Sequence, residues 1–380
     1  MNFSLRYALS ATLAVLALSG CTPTDGAKEL DQGRAAYELH DLKKAEKLFE
    51  KSVALSPENV DALVCLARVK LDLGDPEAAR EWIGKAAVLA GGDVDVRFVQ
   101  AHVAWVLKDY SVAAKLFAGI ADDAALSPEV RAQGWAGLGV VEMSRENPDI
   151  ARCAFLRAIR LDRRAAAAWY HLGLLYRDTF GYQEAALEQF EIFVRLEEAA
   201  SPRVQKVQRN VIPAIKEAIS RAAAERPGVA KRDSAACATE ITRATAALKK
   251  NDFRTARQRY QAAVVADPLS YPAALGLAKA WLKTDATKAG QTKALESYRR
   301  ACVLRPDAVK EAFLPAGALA SRLGMHAQAV EIYSRAVAAD PTSFDALDGL
   351  VRALGRVGGR AKDAQAYQSY RESITVRRKK

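Results

Sequence analysis

Histidine, cysteine and closely spaced acidic side chains are the usual carriers of chemistry, and in this chain they are few or badly placed for it. The four histidines, His40, His102, His171 and His326, stand far apart, and none has a second ligand at the short spacing that zinc requires. Cys65, Cys153, Cys237 and Cys302 form no Cys-x-x-Cys pair, and Cys21 stands apart from them behind an apolar run, Ala8–Leu18. The chain contains no His-Glu-x-x-His, no Gly-x-Ser-x-Gly and no Walker loop. Gly137-Leu138-Gly139 has part of the look of a dinucleotide loop, but no strand precedes it. The residues predict no enzyme, no catalytic or metal site, no cofactor and no small-molecule substrate.

What the chain does repeat is a packing device. Ala45, Ala79, Ala113, Ala151, Ala186, Ala256, Ala294 and Ala329 are each followed four residues later by a bulky side chain: Phe49, Ile83, Phe117, Phe155, Phe190, Tyr260, Tyr298 and Tyr333. A small residue one helical turn before a large one lets two helices approach closely and then interlock, so these rungs predict a stack of helix pairs. Twelve positions before a rung alanine stands another small residue, as at Gly33, Ala67, Ala101, Gly139, Ala244 and Gly317. Twelve positions after it stands a helix-ending proline at Pro57, Pro268, Pro306 and Pro341.

Two segments show the unit almost whole: Trp135-Ala136-Gly137-Leu138-Gly139, and Trp169-Tyr170-His171-Leu172-Gly173 with Tyr176. Here the chain resembles the tetratricopeptide repeat family, whose signature runs Trp, Leu-Gly, Tyr, Ala, Phe, Ala, Pro at these offsets. The resemblance covers roughly residues 26–198 and 237–370 and implies an all-α, right-handed α-solenoid in two sub-arrays. Repeats five, seven and eight carry insertions near their inter-helix turns, clearest at Phe180-Gly181 and Thr284–Lys293, and a degenerate ninth unit runs from Phe344 past Ala364, with Tyr367 and Tyr370 off the expected spacing.

The first residues speak of location. Arg6 precedes the apolar run, which is too short to span a bilayer as a mature helix but suits a secretory signal peptide ending at Leu18-Ser19-Gly20-Cys21. That ending resembles the lipobox of bacterial lipoproteins, which implies cleavage before Cys21 and acylation of its thiol and new amino group. Several acyl chains, each contributing roughly 0.8 kcal/mol per buried CH₂, anchor a protein effectively permanently. Thr22 rather than aspartate follows, so the resemblance implies the periplasmic face of a bacterial outer membrane. The expected division is a signal peptide over 1–20, a tether over 21–26, five repeats plus a capping helix over 27–224, a linker over 225–234 and four repeats over 235–380.

The cap is expected to begin with Ser201 as N-cap and Pro202 at the first helical position, and Pro213 must kink or restart it. Formal charge is +11. An envelope location makes nucleic acid an improbable partner and acidic protein segments, anionic headgroups or wall polymers accessible ones. The four remaining cysteines fall in different repeats, too far apart for most bridges, and read as small buried hydrophobes.

In tetratricopeptide proteins the first helix of each pair lines a concave groove, and repeat positions 2, 5, 9, 12 and 13 face it. Carried onto this chain, position 13 is Glu38, Asp72, Val106, Ser144 and Asp178 in the first array, but Lys249, Lys283, Arg322 and Arg356 in the second. The second groove is therefore expected to favour an acidic ligand. The other groove candidates are Arg34, Tyr37, Arg68, His102, Trp105, Met143, Tyr170 and Arg177. The expectation is a lipid-anchored scaffold for envelope proteins, similar to the lipoproteins that assist type IV or Flp pilus and secretin assembly. The alternatives are an adaptor for cell-wall hydrolases or a binder of an anionic envelope polymer.

Overall fold

The structure, a computed structural model, describes residues 26–224 and 233–375, and every regular element among them is helical. The expected signal peptide, Cys21 and all of the tether but Gly26 lie outside the described residues, as do residues 225–232 of the expected linker. No helix among the described residues is long and apolar enough to cross a membrane.

Four helical hairpins come first: α1 (Ala27–Glu38) with α2 (Leu42–Leu55), α3 (Val60–Asp72) with α4 (Pro76–Ala90), α5 (Val94–Val106) with α6 (Tyr110–Asp122), and α7 (Pro128–Ser144) with α8 (Pro148–Leu161). A fifth pairs α9 (Ala166–Leu174), extended by a π-helical turn over Leu175–Phe180, with α10 (Gln183–Leu196). Next stand α11 (Pro202–Lys206), a π turn over Val207–Val211 and α12 (Ile212–Ala224), of which the π turn and α12 pack against α10. Four more hairpins follow: α13 (Ser234–Lys249) with α14 (Phe253–Ala266), α15 (Tyr271–Thr284) with α16 (Lys288–Leu304), α17 (Leu314–Arg322) with α18 (His326–Ala339), and α19 (Phe344–Leu354) with α20 (Ala361–Thr375). A π turn over Val309–Phe313 leads into α17.

The chain divides into two compact units between His171 and Leu172, inside α9. The second unit thus contains α10 to α12 together with the last four hairpins, a grouping different from the two arrays read from the repeat rhythm.

Every rung alanine is fully buried, and the bulky partners from Phe49 to Tyr333 are at most 7% exposed. The small residue of the preceding helix faces the aromatic ring directly. A Cβ placed on Gly139 would stand 2.5 Å from Cε1 of Phe155, so any larger residue would have to push the ring out of its seat.

The hairpin turn is equally regular. After α1, α3, α5, α7, α13 and α17 a residue enters the left-handed region, namely His40, Gly74, Lys108, Glu146, Asn251 and Gly324. The next residue then donates its backbone N–H five residues back, as Asp41 does to Ala36, Asp75 to Lys70 and Asp109 to Ala104. This is a Schellman ending. The same Asp41, Asp75, Asp109 and Asp252 then serve as N-caps, accepting from the backbone N–H of Lys44, Ala78, Val112 and Thr255. One short turn thereby closes one helix and opens the next.

The insertions are absorbed inside helices rather than in long loops. In repeat five the extra residue becomes the π turn, followed by Gly181 at φ 68°, a conformation suited to glycine. In repeat seven only residues 285–287 separate α15 from α16, and the surplus lengthens α16 to 17 residues. Ser201 stands at the N-cap with Pro202 in the first turn as expected, although its side chain makes no capping bond. Pro213 is the second residue of α12, directly after a π turn, which is the restart its missing N–H requires. The ninth unit is a complete hairpin, and Tyr367 and Tyr370 are both buried in it at 0% and 2% exposure.

Candidate functional site

The first helices of the pairs, α1, α3, α5, α7, α9, α13, α15, α17 and α19, carry the groove candidates, except that Arg177 lies in the π turn after α9 and Arg356 just past α19. In repeats one to four these side chains mostly engage one another across successive repeats. Arg34 Nη2 donates to Asp61 Oδ2 at 2.8 Å, and Arg68 Nη2 to Asp95 Oδ1 at 3.0 Å, so the arginine at position 9 grips the aspartate at position 2 of the next repeat twice over. A parallel pair of bonds joins position 12 to position 13. Tyr37 Oη donates to Asp72 Oδ2 at 2.5 Å, and Trp105 Nε1 to Ser144 Oγ at 2.9 Å. Burial first, and then the bond to Asp72, push the Tyr37 phenol up in pKa.

His102 is the position-9 residue of repeat three. Its ring packs edge-on to Phe117 with centroids 6.2 Å apart and lies 6.4 Å from Trp105. Although the residue as a whole is half-buried, its Nε2 is fully covered and has no hydrogen-bond partner, and neither has Arg68 Nε. Burial, with the nearby Arg68 charge, pulls the His102 pKa down to about 4, so the ring is neutral near pH 7. Cys65 lies in the same neighbourhood, its thiol pushed up by burial and drawn back by Arg34 and Arg68. Met143 is half-buried on α7.

Tyr170 stands edge-on to His171 at 5.3 Å, and His171 stacks on the rung ring of Phe155 at 5.8 Å, so Tyr170 belongs to the packing. Arg177 is held by the adjacent Asp178, through bonds of 2.5 and 2.8 Å, and lies 5.8 Å from the Phe190 ring centroid.

Repeats six to nine use the same column differently. Lys249 and Arg322 are the last residues of α13 and α17, Lys283 is the last but one of α15, and Arg356 lies just past α19. All four are exposed, and among the described residues none pairs with a carboxylate. Lys283 Nζ lies 5.9 Å from the Phe253 ring centroid, a long and weak attraction. Lys279, one turn before Lys283, is exposed as well. Each cation stands at the negative end of a helix, which offsets a few tenths of a kcal/mol of dipole energy, up to about 1, and leaves its hydrogens available.

The inter-repeat partners Asp61 and Asp95 escape a reading of single positions. The signal was present as a spacing, Arg34 to Asp61 and Arg68 to Asp95, repeated once per unit. Among the described residues no group of His, Cys, Asp and Glu is arranged to hold a metal ion. Cys153, Cys237 and Cys302 are buried and Cys65 half-buried, and none of them forms a disulfide.

A tetratricopeptide repeat model matches residues 36–102, and another of the same description matches 136–202 and 241–309, together more than half of the chain. Comparison with curated proteins gives no match. Similar solved structures include PilF of Pseudomonas aeruginosa, at 17% identity and a TM-score of 0.40 over 65% of this chain and 94% of that one. MamA from residue 41 onward, of Desulfovibrio magneticus RS-1, gives 18% and 0.38 over 47% and 99%. The Cut9–Hcn1 hetero-tetramer of APC/C gives 16% and 0.35 over 95% and 80%. With its buried alanine rungs and a family match over most of its repeats, the chain belongs to the tetratricopeptide repeat family, and its fold is that of a protein–protein interaction scaffold.

Proposed function

We propose that this protein is a lipid-anchored scaffold of a bacterial envelope whose repeats six to nine hold an acidic segment of a partner protein. One observation carries the reading of the partner: Lys249, Lys283, Arg322 and Arg356 occupy the same position in four successive repeats, exposed and without carboxylate partners among the described residues, the first three on the helix that lines the groove in this family and Arg356 just past it. Aligned cations of this kind draw an acidic chain in quickly and reject basic ones. The first repeats offer no such column, because their position-13 residues are Glu38, Asp72, Val106 and Ser144, and their position-9 arginines are spent on neighbouring repeats. No catalytic role is proposed.

The location rests on Leu18-Ser19-Gly20-Cys21, and the system served, assembly of an outer-membrane machine such as a type IV or Flp pilus or a secretin, rests on the pairing of that lipobox with the repeats. The test of the partner is a fluorescence-anisotropy titration of the purified chain with a glutamate-rich peptide and with its lysine-for-glutamate counterpart. Saturable binding of the first alone is expected. Equal binding of both, or binding of any polyanion with the same salt slope, would turn the reading towards an anionic envelope polymer. The anchor is tested by Cys21→Ala, which should release the chain from the membrane fraction.

A further inference from the structure

The second unit holds a cleft that belongs to neither groove. It opens between α16, the π turn before α17, and α18, with a volume of about 200 Å³. Three guanidinium groups line it, those of Arg299, Arg300 and Arg335, against a single carboxylate, Glu331. Their hydrogen-bonding capacity is largely unused. Arg300 spends its Nε–H on the Pro268 carbonyl at 2.9 Å. Arg335 approaches Glu331 only to 3.9 Å, beyond hydrogen-bond reach, and its Cζ lies 5.6 Å from the Tyr182 ring centroid. Arg299 is exposed and has no partner among the described residues.

The floor is different in kind. Phe313 and Ile332 are buried at 2% and 5% exposure, and Val303 forms a half-open lip at 45%. Cys302 is buried beside them and lines the same cleft as Arg299 and Arg335. A cluster of net charge +2 over an apolar base selects an anion that carries carbon behind it. Guanidinium forks match tetrahedral oxyanions with paired hydrogen bonds, and several of them together suit a doubly charged group. The space is below the ~300 Å³ at which drug-sized ligand pockets begin, and leaves room for a phosphate and one small ring or short chain.

We propose that this cleft binds a small phosphate monoester, with the phosphate between Arg299, Arg300 and Arg335 and the organic group on Phe313, Ile332 and Val303. The site stands independently of the acidic-segment reading, since none of its residues lies in the position-13 column.

The experiment is isothermal calorimetry of the purified chain with phenyl phosphate, inorganic phosphate and phenol, and with vesicles of phosphatidylglycerol or of phosphatidylcholine alone. Phenyl phosphate is expected to bind saturably and more tightly than inorganic phosphate, with no heat from phenol. Arg299→Ala with Arg335→Ala should weaken it by about tenfold or more, the scale of losing charge-assisted bidentate bonds. Arg335→Lys should fall between, Glu331→Gln should tighten binding, and Arg322→Ala should leave it unchanged. The substituted arginines are exposed, and circular dichroism checks that helicity is kept. Absence of saturable binding, or an affinity that the double variant does not change, would overturn the proposal. Vesicle capture abolished by the double variant without any phenyl phosphate binding would overturn it in favour of a lipid headgroup.

Discussion

Repeats one to four and repeats six to nine share one backbone plan and put its polar positions to opposite uses. In the first set, Arg34, Tyr37, Arg68 and Trp105 reach forward to Asp61, Asp72, Asp95 and Ser144, so the helix face is laced from repeat to repeat. In the second, Lys249, Lys283, Arg322 and Arg356 reach out without a carboxylate partner. The rungs differ as well, with phenylalanine or isoleucine in the first set and tyrosine in the second, yet both bury them almost completely. The contrast teaches that a solenoid's apolar rungs fix its stacking, while its polar face is free to become either an internal clamp or a surface for others.

The largest test strikes what the two sets share. Phe155→Ala and Tyr333→Ala should each cost about 3 to 5 kcal/mol in urea titrations followed by circular dichroism, the usual scale for emptying a buried aromatic site. A large loss in only one set would break the parallel. Reversing all four cations, as Lys249→Glu, Lys283→Glu, Arg322→Glu and Arg356→Glu together, should weaken a glutamate-rich peptide by well over about tenfold, more than about 1.4 kcal/mol, with stability nearly unchanged. Loss of stability instead would mean that these side chains also hold repeats together.

The His102 effect is confined to the first set. Its folded pKa near 4 lies below the unfolded value of about 6.5, so the folded state binds fewer protons; stability is full above pH 6.5 and drains away as pH falls towards 4. The loss should be about 2 to 3 kcal/mol by pH 4, and His102→Phe should flatten that part of the curve in denaturation at stepped pH. Tyr37→Phe removes one part-buried hydrogen bond to Asp72 and should cost about 1 kcal/mol while leaving peptide binding untouched. Smallest is the turn: Lys108 sits at φ 65°, whereas the equivalent residue in repeat eight is Gly324 at φ 76°. Lys108→Gly should raise stability by about 0.5 kcal/mol, the left-handed relief exceeding the extra chain entropy, and Gly324→Lys should lower it by a similar amount.

Much of the fold was legible because packing repeats itself in the alphabet: a small residue, then a large one a turn later, is a pattern that eight copies make unmistakable, and the family match agrees with it. The ends of helices were legible only in part. Proline marks the close of a second helix, but the opening is marked by Asp41, Asp75, Asp109 and Asp252, residues whose capping role depends on the left-handed residue just before them. Of the groove candidates, repeat position placed most on the first helix of a pair, where the structure also has them. It did not reveal that Arg34 and Arg68 are already engaged, because the deciding partners, Asp61 and Asp95, stand one repeat away and only the stacked structure brings them close. The arginine cleft was invisible for the same reason, drawing on α16, the π turn and α18 at once.

The way surplus residues are taken up has a practical outcome. A π turn takes up a residue within the helix, and α16 carries its extra length as a 17-residue helix, so each insertion stays inside its own hairpin. Length differences are therefore taken up locally, and a peptide tag inserted beside Gly181 or between Asp285 and Thr287 should be carried as a local blister. Such sites are the natural places to attach a dye or a crosslinker for catching whatever this protein holds.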